Sequence, residues 1–112
     1  MIDNILKDSS VVTDIAGDYT QVKTKNPTIA FQLVKFGFKL NEHGSFEKNN
    51  LDQEDRLRTI KNLISINAIF SAGRDWSPEE VLDFYREQNL LNEPYRVISW
   101  KDLNNYEIRF VE

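Results

Sequence analysis

Residues 77–111 commit one stretch of this chain to a helix followed by two strands, and that order removes all-α and all-β folds from consideration. The segment SPEEVLDFYREQ, residues 77–88, opens with a capping serine, carries proline at the first helical position and has Glu80 three residues after the cap. Trp76 and Val81 stand where an apolar staple would close the start of the helix. At about 100° per residue, Val81, Leu82, Phe84 and Tyr85 gather on one side, and Glu79, Glu80, Asp83 and Glu87 on the other. Downstream, YRVISW and YEIRFV alternate side chains with the period of two that a strand requires, around the turn KDLNN.

The preceding residues are read by the same rules. Ile2, Ile5, Leu6, Val12, Ile15 and Ala16 recur at roughly helical spacing, and Gly17 stops the run. Thr, Val, Ile and Phe dominate residues 19–40, and Asn26-Pro27 is a turn signal, so this region reads as two strands folded back on each other. In the second of them the apolar set changes face between Leu33 and Val34, which predicts a bulge or a strand covered on both sides. NEHG reads as a turn into a short strand, SFEK. From Asn50 the pattern is helical, with an Asn cap, Asp52, Glu54 and Asp55 in the first turn, and Leu57, Ile60 and Ile64 as a stripe. No Gly or Pro intervenes before Gly73, so the helix is expected to run to about residue 70, although ISINAIF also alternates as a strand would. The expected architecture is α+β: an antiparallel sheet of four to five strands with two or three helices packed on one face, as a single domain over residues 1–112.

Composition narrows function mainly by exclusion. With 112 residues, 40% hydrophobic and 29% charged, the chain is neither a disordered tail nor a membrane protein. It has no cysteine, so disulfides and thiolate metal sites are out. No apolar run approaches the about 18 residues a membrane span needs. MIDNILKDSS lacks a basic region followed by an apolar stretch, so no secretory signal is read and a cytoplasmic location is expected. Residues 1–50 hold six Lys against six acids, while residues 51–112 hold eight Lys plus Arg against twelve acids, which places the whole net charge of −4 in the second half. That balance disfavours duplex DNA and anionic bilayers and leaves room for a basic partner.

Reaction centres are hard to assemble from these residues. Glu79, Asp83 and Glu87 lie one turn apart on a face opposite the apolar stripe, so all three are solvated alike. Acid–base chemistry needs carboxylates in unlike environments. A solubilising helix face is the plain reading, and a docking face is the functional one. His43, the single histidine, sits in a turn where Gly44 supplies a positive φ, and Glu42 beside it is expected to point elsewhere. The four glycines form no phosphate loop, and no nucleophile motif is present. Lys23, Lys25, Lys35, Lys39 and Lys48 interleave with Phe31, Phe36, Phe38 and Phe46, the pattern of a sheet that stacks single-stranded nucleic acid. The competing account makes those phenylalanines core and the lysines a wet sheet face.

The expectation is a small acidic, non-enzymatic protein-binding module without metal or cofactor, of the inhibitor, immunity or adaptor type that phage and bacteria use. It docks a basic protein through the helix face of Glu79, Asp83 and Glu87, with Trp76 or Trp100 as apolar anchor. The alternative is a single-stranded nucleic-acid module using the basic-aromatic sheet. An enzyme would draw His43 together with distant carboxylates.

Overall fold

The computed structural model describes residues 2–15, 18–72, 77–102 and 105–112. Along the chain these form α1 (Ile2–Asp8), β1 (Ser10–Asp14), β2 (Tyr19–Thr24), α2 (Pro27–Lys35), β3 (Lys39–Leu40), β4 (Phe46–Asn49), α3 (Gln53–Ser65), β5 (Ile69–Ser71), α4 (Pro78–Glu87), β6 (Tyr95–Trp100) and β7 (Tyr106–Val111). The strands make one seven-stranded sheet in the order β3-β4-β2-β1-β5-β6-β7. The class is α+β as expected, but the sheet is larger than four to five strands and mixed. β1 pairs with β5, and β5 with β6, in parallel, while the other four neighbours are antiparallel.

Two segments expected as one kind of element are another. Residues 27–35 are a helix, not a strand. Asn26 accepts the backbone N–H groups of Thr28 and Ile29 on its side chain, and Pro27 takes the first helical position. Ile29 and Leu33, one turn apart, are buried, whereas Phe31 and Val34 are 62% and 56% exposed. The change of apolar face at Leu33–Val34 is therefore helical periodicity and no bulge. In the N-terminal region, the helix ends at Asp8 and Ser10–Asp14 become a strand, in keeping with the weak helix preference of Ser and the β-branched residues.

Helix α3 begins with Asp52 as its cap, accepting Asp55 N–H at 2.8 Å, and stops at Ser65, short of the expected residue 70. The stop needs no glycine. Asn67 takes φ 59°, Ala68 N–H returns to the Leu63 carbonyl at 3.0 Å and Asn67 N–H to Ile64 at 3.0 Å. The same closure ends α4 through Asn89 (φ 60°) and α2 through Gly37 (φ 98°). Ile69–Ser71 then enter the sheet, so the alternation of ISINAIF belongs in its last residues to a strand.

The helices do not all share one face. Ile29 and Leu33 of α2, Ile60 and Leu63 of α3, and Leu82 and Tyr85 of α4 pack on Val12, Val22, Phe46, Phe70, Tyr95 and Val97 of the strands. On the opposite face, Leu6 of α1 meets Val11, Ile69 and Ile98, with Ile5 and Trp100 alongside. Burying each such aliphatic side chain contributes about 1.5–3 kcal/mol. Away from α1, no helix among the described residues covers the second face. It is polar at β2 and β4, where the Tyr19 hydroxyl donates to Glu47 at 2.8 Å, and at β6 and β7 it carries Trp100, Tyr106, Ile108 and Phe110, with Arg96 opposite Phe110.

Candidate functional site

Helix α4 forms as its sequence predicts. Ser77 is extended (φ −124°) and its Oγ accepts Glu79 N–H at 3.2 Å, Pro78 follows, and Leu82 and Tyr85 go inward. The helix is then fixed on three sides. The Tyr85 hydroxyl donates to Gln53 Oε1 of α3 at 2.7 Å. Arg86 donates to the carbonyls of Glu93 and Glu112 at 2.9 and 2.8 Å, and its guanidinium lies 4.7 Å over the Tyr95 ring. Arg109 of β7 donates to the Glu79 carboxylate. Beneath α4 the Tyr95 hydroxyl is buried without a hydrogen-bond partner, and burial pushes its pKa up to about 12.

The acidic side of α4 divides in two. Glu79 is half-buried and paired with Arg109, while Glu80, Asp83 and Glu87 are exposed. Phe84 borders them. In helical projection, Glu87 and Glu80 precede Phe84, and Val81 follows it toward the core. Phe84 is 49% exposed, its ring propped edge-on against Tyr85 at 5.2 Å. With Gln53, Arg56, Glu80 and Val81 it lines a shallow cleft of about 270 Å³ between α3 and α4. The sequence assigns Phe84 wholly to the apolar stripe. Its position at the stripe's border is the signal that it is half outside.

The two tryptophans divide differently. Trp76 lies outside the described residues. Trp100 is half-buried on the sheet face opposite α4, where its Nε1–H donates to Ser71 Oγ at 3.3 Å and its ring meets Tyr106 at 5.3 Å. Glu79, Asp83 and Glu87 are thus together on one helix, and Trp100 is not beside them.

The basic-aromatic sheet does not form. Phe31 is on α2 with Lys35 over its ring, Phe36 caps that helix, and Phe38 and Phe46 are buried in the core. Lys48 is turned inward, its Nζ donating to Thr59 Oγ1 at 2.8 Å, Asp55 Oδ1 at 3.0 Å and Asn50 Oδ1 at 3.2 Å. His43 lies exposed in the β3–β4 turn with Gly44 at φ 82°, and Glu42 turns toward it, 3.7 Å from its Nε2, rather than away. Among the described residues no three His, Asp or Glu side chains approach closely enough to hold a metal ion, and no helix is long and apolar enough to cross a membrane.

Compared with known protein families, with curated proteins and with solved structures, the chain matches none.

Proposed function

We propose that the chain is a protein-binding module of the inhibitor, immunity or adaptor type, and that α4 is its docking element for a basic partner. The observation that carries this reading is Phe84, half-exposed beside the exposed carboxylates of Glu80, Asp83 and Glu87 and next to the α3–α4 cleft. An aromatic ring on a rigid helix supplies the apolar part of a binding site at low entropic cost. Clustered acids around it raise the encounter rate with a positive surface. The nucleic-acid alternative loses its support, because Phe38 and Phe46 are core residues and Lys48 is engaged inside.

The test is affinity capture from source lysate with mass-spectrometric identification, comparing the wild type with Asp83→Lys/Glu87→Lys and with Phe84→Ala. Glu79 is left intact because it is paired with Arg109. A specific partner with a basic surface should be retained by the wild type, lost from both variants, and bound more slowly as salt rises. Equal capture by all three proteins, each folded by circular dichroism, removes α4 from the function.

A further inference from the structure

Strand β7 ends the sheet, and the directions of its backbone groups follow from its neighbours. Ile98 of β6 accepts the Ala72 N–H with its carbonyl at 3.1 Å, so its peptide groups serve β5. At the β6–β7 turn, Lys101 N–H donates to the Asn105 carbonyl at 2.8 Å. Hydrogen-bonded and non-bonded pairs alternate along an antiparallel ladder. With Ile98 opposite Ile108 and Trp100 opposite Tyr106, both observations give the same phase. Glu107 and Arg109 direct their N–H and C=O groups to β6. Tyr106, Ile108 and Phe110 direct theirs outward, beyond the last strand.

The side chains of those same three residues, at least 39% exposed, form an apolar row on the open face, continued inward by Trp100. The strand contains no proline and no lysine, two of the usual guards of an exposed edge. Its charges, Glu107 and Arg109, stand on the face that carries α4.

We propose that this edge pairs antiparallel with β7 of a second copy of the chain, about a two-fold axis through Ile108. In that register Ile108 meets Ile108 of the other copy and Tyr106 meets Phe110. Each Glu107 faces an Arg109, and about six inter-chain N–H···O=C bonds form from the outward groups. Other registers are inferior for a physical reason. An axis through Glu107 sets glutamates opposite each other, and one through Arg109 sets arginines opposite each other, both repulsive. Charge complementarity therefore selects the occupant as well as the register. A second copy presents the sequence Glu-Ile-Arg reversed, which returns an opposite charge to each position.

The mass of the wild type, measured by light scattering or sedimentation over a concentration series, should move from 13.1 kDa toward twice that value. Glu107→Arg and Arg109→Glu should each weaken association about tenfold or more, since the symmetry replaces two attractive pairs by two repulsive ones. An equimolar mixture of the two variants should recover the wild-type behaviour, because the arginine introduced in one then meets the glutamate introduced in the other. Arg109→Glu also removes the contact to Glu79, so Glu107→Arg and the mixture carry the decision. In the wild type, the amide protons of Tyr106, Ile108 and Phe110 should gain exchange protection with concentration. A monomer at every concentration overturns the proposal and leaves the edge to a foreign strand. A dimer that survives both charge reversals, or variants that do not rescue each other, overturns it as well.

Discussion

Lys48 shows how single residues hold this fold. Its ammonium group joins Asp55, Thr59 and Asn50, and Asn50 continues to Thr20 at 3.0 Å, so β4, α3 and β2 share one polar network. Thr59 is buried and donates to Asn50 Oδ1 at 2.7 Å. Thr59→Val keeps the shape but strands its partners, and urea unfolding should show a loss of about 1–3 kcal/mol. Asp55 gives this network a pH dependence. The Leu51 N–H first, and then Lys48, hold its carboxyl below the ordinary 3.8. The unfolded chain then takes up the proton before the folded one, so stability rises with pH through this interval. The stability gap between the wild type and Asp55→Asn should be full above 3.8 and close as pH falls through the lower, folded value. Little of this network is legible in the sequence. Lys48 reads there as one of several surface lysines, because nothing local in FEKNN reveals that Asp55 and Thr59 of α3 reach back to it or that Asn50 carries the network on to Thr20 of β2.

Among the elements, the helix starts are legible only in part, since α3 is capped by Asp52 and not by the expected Asn50. Ser77-Pro78 announces α4, whereas Asn26-Pro27 has the same chemistry and reads as a turn, because the β-branched and aromatic residues after it favour strand. Burial of Ile29 and Leu33 overrides that preference. Asn26 also donates its side-chain amide to the Lys7 carbonyl at 2.9 Å, tying the end of α1 to the start of α2. Asn26→Ala should therefore cost about 1–2 kcal/mol in thermal or denaturant unfolding. Asn26→Asp, which keeps the cap and loses the bond to Lys7, should fall between the alanine variant and the wild type. The ends escape a sequence reading where asparagine takes the place of glycine. Asn67 and Asn89 adopt the left-handed conformation with a small steric penalty, and a search for Gly passes over both.

For the molecule as a whole, the α+β class follows from residues 77–111, but the mixed sheet does not. Parallel pairing brings Val11 and Val12 beside Ile69 and Phe70, about half the chain away, and no local pattern encodes such a partner. Phe84 and the acids of α4 are visible as a surface, because helical projection needs only consecutive residues. The row of Tyr106, Ile108 and Phe110 is visible as alternation, while its position at an edge depends on the strand order. That order separates the chain cleanly: β3, β4, β2 and β1 come from residues before 50, and β5, β6 and β7 from residues after it. The excess of acids belongs to the second group.

Among the described residues one ladder, β1 against β5, stitches these two groups of strands together. Hairpins such as β6–β7 close short loops, whereas the stitch must close a long one at greater entropic cost. Pulse-labelled refolding should accordingly protect the amides of β2 and β6 where they face their antiparallel partners earlier than those shared by β1 and β5. The last event in making this sheet is then the meeting of two preformed halves along a seam of a few residues, and slow or faulty closure there would expose Val12 and Phe70 together.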